Sequence, residues 1–156
     1  NDAQEIVTLH ATLTKQHAFV PLEELDEDSR LSWMEYHLKN LNKWHQIYIA
    51  KEAERIIGNI WVARDNSDAR SHVAYIGIAI LAEHCSKGIG AKLIKGVEVW
   101  AKQESCKYLT LKVVANDIKA VTFFLKQGFK FETIMRGSYH TKEHYYDEYR
   151  MVKPIT

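Results

Sequence analysis

The segment "HCSKGIGAKLIKG", residues 84–96, places Gly88 and Gly90 two residues apart at the start of a predicted helix. The apolar residues that follow recur at helical spacing as far as Ala101 and define a buried stripe. A glycine turn at a helix N-terminus presents backbone N–H groups and the positive end of the helix dipole, which suits a phosphate. Because neither Gly88 nor Gly90 has a Cβ that would intrude, we expect both to allow the close approach of a phosphate to the backbone. The segment therefore predicts an anion site between a strand and a helix.

Two nucleotide motifs do not match this turn. A dinucleotide fingerprint needs a third glycine where Leu93 stands, and it needs the turn after the first strand of the chain. A P-loop needs Gly-Lys-Ser/Thr after four spacer residues, and the sequence has none. A nucleotide-binding protein remains an alternative, although neither motif supports it.

Hydrophobic periodicity around the turn predicts an α/β chain with a mixed sheet. The apolar run at 72–81 is continuous, so we expect a strand covered on both faces. Gly128 follows a short amphipathic segment and predicts a left-handed helix cap. The other predicted elements are an N-terminal helix with Ile6, Leu9 and Leu13 on one face, a helix over about 29–43, a hairpin over 46–63, a strand over 107–114, a helix over 120–127 and strands over 129–135 and 145–152.

The composition indicates one globular domain and argues against nucleic-acid and membrane binding. The chain has 156 residues, of which 46% are hydrophobic and 26% charged, values typical of one globular domain. Its formal net charge of +1 argues against the basic field of nucleic-acid or membrane binders, and the apolar run 73–82 is too short to cross a bilayer. Two cysteines, without zinc spacing, favour a reducing compartment. We therefore expect a cytoplasmic protein with neither nucleic acid nor membrane as partner.

A second motif, "AVTFFLKQGF" at 120–129, follows the glycine turn in the chain. Together the two resemble the GNAT superfamily of acetyl-CoA-dependent N-acetyltransferases. The family loop reads Arg/Gln-x-x-Gly-x-Gly/Ala, and here it occupies 85–90. The family's second element is Asn-x-x-Ala followed by an aromatic residue and Gly-Phe. The matching positions here are Asp117, Ala120, Phe124, Gly128 and Phe129, with Asn116 adjacent.

The resemblance implies a single GNAT domain over 1–156, with a central, mixed, splayed sheet flanked by helices. The family begins with a strand before its first helix, so we expect that strand to be missing or upstream of residue 1. Acetyl-CoA is the implied cosubstrate, its pyrophosphate on the glycine turn and its pantetheine arm along the strand that precedes the turn. The implied cofactor contacts are Ile78, Ile80, Cys85, Ser86, Lys87, Gly88, Ile89, Gly90, Ala91, Asn116, Asp117, Phe123 and Phe124.

The catalytic residues of the family are not evident in this sequence. Several branches place a carboxylate at the positions of Ala74 or Tyr75, and neither is acidic here. Glu83 and His84 are alternative bases, although a solvated residue at a strand end is the simpler interpretation of each. The base therefore stays unassigned.

The usual general acid of the family is a tyrosine at the position of Phe124 or Phe123, so neither hydroxyl is present. Because a thiol with a pKa near 8.5 leaves with modest help, this loss need not abolish activity. Tyr75 and Tyr139 are the candidate catalytic hydroxyls, with Tyr145 as a further possibility; aromatic packing is the alternative for all three.

Three other features have plain interpretations. Cys85 replaces the family's Arg or Gln, and we expect a passive residue rather than a nucleophile. His140 and His144 have the i, i+4 spacing of a helical metal site, but they lie between predicted strands, so we predict no metal. The acidic segment "LEELDED" at 22–28 suits a solvated helix start, with attraction of a cationic amine as the alternative.

The sequence thus predicts transfer of an acetyl group from acetyl-CoA to a primary amine by direct attack. We expect a small-molecule acceptor such as an amino acid, a polyamine or a related amine. Acetylation of a protein N-terminus or lysine, as in the ribosomal-protein acetyltransferases, is the alternative substrate class. A non-catalytic acyl-CoA sensor is the alternative from a different functional class. The sheet edge and terminal hairpin also allow a homodimer.

Overall fold

A computed structural model describes residues 2–15 and 26–156. Within these residues the helices are α1 (Asp2–Lys15), α2 (Glu27–Lys39), α3 (Ile89–Gln103) and α4 (Ile118–Lys126). The strands are β1 (His45–Glu52), β2 (Arg55–Arg64), β3 (Val73–Ile80), β4 (Tyr108–Val114), β5 (Lys130–His140) and β6 (Tyr145–Pro154). A short 3-10 turn, Ala82–His84, connects β3 to the glycine turn. None of the helices in the described residues is long and apolar enough to span a bilayer.

The strands of the described chain form one six-stranded sheet in the order β1-β2-β3-β4-β6-β5. The β3–β4 pair is parallel, whereas the other neighbouring pairs are antiparallel. The prediction of a mixed sheet flanked by helices is therefore confirmed.

Two hydrophobic clusters hold the helices on opposite faces of the sheet. The predicted stripe of α3, which includes Ile94, Val97 and Trp100, packs with α4 against β2, β3, β4 and β6. On the other face, Ile6 and Leu13 of α1 and Met34 of α2 pack against β2 and the end of β3. The open end of β3 and the turn that follows it therefore lie between two packed layers.

Three elements differ from the sequence predictions. Helix α2 ends at Lys39 rather than near residue 43, because the Asn40 side chain donates to the Tyr36 carbonyl at 2.6 Å and closes the last turn. Strand β5 continues to His140 with a bulge after Met135, since it pairs with β6 along that whole length. The run 72–81 is not covered throughout: Tyr75 is 43% exposed. The predicted left-handed cap after α4 is confirmed, because Gly128 has φ +89°.

Candidate active site

The glycine turn offers a row of free backbone donors. Helix α3 begins its own hydrogen bonding when the Lys92 N–H donates to the Gly88 carbonyl at 3.1 Å. The N–H groups of residues 86–91 donate to no residue of the described chain. Gly88 caps the helix with φ +81°, and Ser86 before it also has a left-handed backbone, φ +62°. The turn is therefore the start of a 15-residue helix whose free N–H groups suit an anion.

The two glycines of the turn have different structural reasons. No atom lies within 4 Å of the position a Gly88 Cβ would take, so that side of the turn is open. At Gly90 a Cβ would lie 2.7 Å from the Phe123 ring and 3.2 Å from Ile80 Cδ1. Gly90 therefore lets the first turn of α3 pack against α4 and β3, a reason other than the close phosphate approach expected from the sequence.

The sheet opens next to this turn. The β3–β4 ladder consists of the pairs Val73–Tyr108, Ala74–Leu109 and Tyr75–Thr110. Both strands continue beyond the last pair, β3 to Ile80 and β4 to Val114, without pairing to each other. On its other side β3 stays paired with β2 as far as Ile80. On the side that faces β4, residues 76–80 therefore pair with no strand, as the splayed sheet predicted by the resemblance requires, and the Ile80 carbonyl accepts from Cys85 Sγ at 3.8 Å.

The loop between β4 and α4 follows the open end of β4 and contacts β6, since the Ala115 N–H donates to the Asp147 carbonyl at 2.8 Å. Asp117 is the N-cap of α4, and its carboxylate accepts from the Ala120 N–H at 3.1 Å. Asn116 is exposed and lines a cleft of about 580 Å³ together with residues 143–147 of the β5–β6 hairpin. Asp117 thus serves the helix start, which leaves Asn116 as the free polar side chain of the pair.

The two phenylalanines of α4 face different surroundings. Phe124 is 5% exposed and packs edge-on against Phe129, with ring centroids 5.7 Å apart. Phe123 is half-buried beside Gly90. Of the two predicted cofactor contacts, Phe123 lies along the glycine turn, whereas Phe124 is a core residue.

The candidate tyrosines lie at opposite ends of the opening. Tyr75 is the last residue of the β3–β4 ladder, opposite Thr110. Tyr139 pairs with Tyr146 near the hairpin. Thr110 pairs with Val152, and β6 runs six residues from Tyr146 to Val152, or about 20 Å at ~3.3 Å per residue. The structure therefore does not bring Tyr75 and Tyr139 together.

The alternative bases face the β1–β2 turn. Glu83 forms an ion pair with Arg55 at 3.7 Å, and His84 Nε2 lies 3.8 Å from a Glu52 carboxylate oxygen. Cys85, next in the chain, donates from Sγ to the Leu81 carbonyl at 3.5 Å, and burial raises the pKa of its thiol. A raised thiol pKa lowers the thiolate fraction. The passive role of Cys85 stays a prediction.

The two hairpin histidines contact different rings. His140 stacks on Tyr145 with centroids 4.2 Å apart, and Tyr145 itself is 73% exposed. His144 lies beyond the end of β5 and meets Tyr146 edge-on at 6.1 Å. No group of three or more His, Cys, Asp or Glu side chains that could hold a metal ion occurs in the described residues.

Two cross-strand features were missed by sequence reasoning. Trp61 of β2 lies directly opposite Gly77 of β3, and its indole covers the glycine. Lys112 of β4 lies directly opposite Arg150 of β6. Members of each pair are far apart in sequence, so only strand register reveals them.

Comparisons with known proteins agree with this geometry. The model of the acetyltransferase (GNAT) family matches residues 13–129. The chain belongs to the GNAT acetyltransferase family. It is an acyl-CoA N-acetyltransferase, and acetyl-CoA is its cosubstrate. No curated protein matches the sequence.

Solved structures share the fold at low sequence identity. A GNAT-family acetyltransferase from Streptococcus pneumoniae is 21% identical with a TM-score of 0.83, covering 99% of this chain and 94% of its own. The yncA protein of Salmonella typhimurium, whose structure contains acetyl-CoA, is 15% identical with a TM-score of 0.81, covering 99% and 89%. A ribosomal-protein-alanine N-acetyltransferase from Brucella melitensis is 14% identical with a TM-score of 0.81, covering 98% and 94%. At these identities the likeness supports the fold alone.

Proposed function

We propose that this GNAT chain acetylates a small primary amine by direct attack on acetyl-CoA held in the opening between β3 and β4. The observation that carries the proposal is the early end of the β3–β4 ladder at Tyr75 and Thr110. An extended pantetheine arm has amide groups, and it pairs with free strand groups much as an added strand does. The free N–H groups of 86–91 stand at the end of the same strand, where they suit the pyrophosphate.

In this proposal main-chain groups make most of the contacts to acetyl-CoA. Bound acetyl-CoA supplies an activated acyl thioester. The backbone of Ile78 and Ile80 lies along the arm, and an N–H group there polarises the thioester carbonyl. One such donor typically contributes about 3 kcal/mol to lowering the barrier. Lys87 and Asn116 are exposed and supply the polar side chains on either side of the opening.

Solvent reaches the end of the β3–β4 ladder, where Tyr75 is 43% exposed, so water is available there to accept the proton of the acceptor amine. An aliphatic amine with a pKa near 10 is mostly protonated at neutral pH, so a proton has to leave before attack. Ala74 and Tyr75 carry no carboxylate, and we propose that water removes this proton. The Tyr75 hydroxyl, at the start of the opening, is the proposed acid for the leaving thiolate. Tyr139 would serve only a thiol placed near the hairpin.

The proposed acceptor is a small molecule. The cleft that Asn116 shares with residues 143–147, about 580 Å³, is open to solvent and includes no residue of β3, so the preference for a small molecule rests on the sequence resemblance. The Brucella relative is named for a ribosomal-protein alanine, so a protein N-terminus is the alternative acceptor. Both described cysteines are free, which supports a reducing, cytoplasmic location as part of the proposal.

A non-catalytic sensor is the second candidate function. It is favoured by Phe124, a core residue at the position where the family usually has its acidic tyrosine. A sensor of this kind would bind acetyl-CoA and change shape or assembly without releasing thiol.

Calorimetry and thiol release together test these proposals. We expect heat from acetyl-CoA and none from NAD or ATP, and thiol release with at least one small amine. Binding without thiol release, across a panel of small amines and peptides, would favour the sensor. Release with peptides alone would favour a protein acceptor, and absence of acetyl-CoA binding would contradict both proposals.

A further inference from the structure

We propose that the acceptor amine also carries an anionic group, and that Lys112 and Arg150 bind it. This inference rests on the proposed function and names its substrate class. The two residues are directly opposite in the antiparallel β4–β6 ladder, where Cβ atoms lie about 4.5–5.5 Å apart. Like charges in that arrangement repel each other and destabilise the pair. An anion between them removes this cost.

Strand alternation fixes the face on which the pair lies. Leu111, Val113 and Met151, the immediate neighbours of Lys112 and Arg150, belong to the core beneath α3 and α4. Because successive strand residues point to opposite faces, Lys112 and Arg150 project from the other face.

Tyr75 projects from that same face. Its neighbours Ala74 and Ile76 lie in the α3-side core, and Tyr75 is 43% exposed. The two cations and the exposed tyrosine therefore share the face of the opening that α3 and α4 do not cover.

Neither cation forms an ion pair within the described part of the chain. The side chains of Lys112 and Arg150 form no ion pair or hydrogen bond there, although Arg150 is half-buried. Glu148, two residues away on the same strand and face, accepts from Ser138 Oγ at 2.9 Å and forms no ion pair with Arg150. Two positive charges thus remain for a ligand.

Other arginines of the chain show the contrast. Arg64 bonds Glu104 at 2.8 Å, and Arg136 bonds Asp147 at 2.8 Å. An arginine that is half-buried and unpaired is consequently the exception among the partly covered cations of the described residues. Arginine's planar donors suit bidentate binding of a carboxylate.

The distance from the opening suits a small bifunctional molecule. Lys112 lies two residues beyond Thr110, where the ladder ends, so about 7 Å along the strand. An amine at the opening and a carboxylate at the cations are then separated by a few bonds, as in amino acids. The same two positive charges repel a polyamine. Of the acceptors expected from the sequence, the pair therefore favours an amino acid over a polyamine.

Matched acceptors and charge variants test this inference. The full chain is saturated with acetyl-CoA and assayed with L-amino acids, their decarboxylated amines and the corresponding aminoalkyl phosphonates. Binding of each compound to the CoA-loaded chain is measured by calorimetry, so that the readout does not depend on turnover. The variants are Arg150→Gln and Lys112→Gln, with Lys102→Gln at the exposed end of α3 as the control.

We expect the anionic member of each matched set to bind and react better than its decarboxylated amine. Arg150→Gln should raise KM for that acceptor about 10- to 100-fold, because the anion loses one charged hydrogen-bond partner. The same variant should leave acetyl-CoA binding unchanged. Preference for phosphonates over carboxylates would identify the anion as phosphate-like. Lys102→Gln should change neither constant.

Equal binding of the matched compounds, absence of binding by every anionic member, or equal effects of Arg150→Gln on anionic and neutral acceptors would overturn the inference. Each of these outcomes is compatible with acetyl transfer to other amines. The proposed function fails separately, if acetyl-CoA itself does not bind.

Discussion

Gly77 gives the sharpest prediction for the acceptor face. A Cβ at this position would lie 2.2 Å from Trp61 Nε1, 2.4 Å from Cε2 and 2.7 Å from Cζ2. These are three atoms of one rigid indole, and ordinary contact begins at 3.4 Å. In Gly77→Ala the indole therefore has to retreat by about 1.2 Å, from 2.2 Å to 3.4 Å.

The cost of this displacement should be measurable. Forcing an added carbon into a packed site typically costs about 1–3 kcal/mol. For a chain of this size, ~1 kcal/mol lowers the Tm by about 2–4 °C, so we expect a loss of roughly 2–12 °C. Trp61 shares its face with Tyr75, since Gly77 is two residues beyond that tyrosine. The displaced ring should therefore raise the acceptor KM more than it weakens acetyl-CoA binding.

A double-mutant cycle isolates the clash. Thermal unfolding and acceptor KM are measured for Gly77→Ala, Trp61→Ala and the double variant. Because the smaller side chain removes the clash, we expect the double variant to be more stable than the sum of the single effects by about 0.5–3 kcal/mol.

Gly96→Ala on α3 is the matched control, because its Cβ would meet Tyr48 at an ordinary 3.8 Å. It should gain up to about 1 kcal/mol from helix propensity. The reasoning is refuted if Gly77→Ala unfolds at the wild-type temperature, or if its effect and that of Trp61→Ala simply add.

Three further substitutions test other parts of the molecule. In Gly88→Ala the new Cβ meets no protein atom within 4 Å, but the residue keeps φ +81°, so the free energy of unfolding should fall by about 1–2 kcal/mol. Calorimetry should also show weaker acetyl-CoA binding, and an unchanged affinity would argue against a pyrophosphate at the turn. Tyr75→Phe should lower kcat about 10²-fold, whereas Tyr139→Phe should leave kcat near the wild-type value, because one thiolate cannot reach both hydroxyls. Equal losses of kcat in the two variants would contradict the assignment of Tyr75. Burial lowers the pKa of His10, whose Nε2 lies 3.1 Å from Asn59 Oδ1. The unfolded state therefore binds the proton more readily, and this contribution to stability should be lost as pH falls below about 6.5; urea unfolding of His10→Gln from pH 5 to 8 should lack that component, and identical pH dependence would contradict the assignment.

The structural features that the sequence predicts are those that depend on one short segment of the chain. The stripe of α3, the strand before it, the glycine turn and the left-handed Gly128 each depend on residues within a few positions of one another. The reason for Gly90 was predicted differently, because Phe123 belongs to another helix and its approach at 2.7 Å follows from packing. Likewise the 43% exposure of Tyr75 depends on which distant side chains cover that face of β3, and no local pattern specifies this.

This division matches the two sides of the opening. The proposed cofactor side consists largely of main-chain groups from one turn and one strand end, so any sequence that keeps the turn and the short ladder keeps it. The proposed acceptor side consists of side chains from four strands, among them Trp61, Tyr75, Lys112 and Arg150. Because Lys112 and Arg150 project from the face opposite the α3 core, substituting them changes the charge of that face and leaves the core side chains in place. Acceptor choice can therefore differ among proteins that superimpose closely, and the acceptor class proposed for this chain rests on the register of β4 with β6 rather than on any motif.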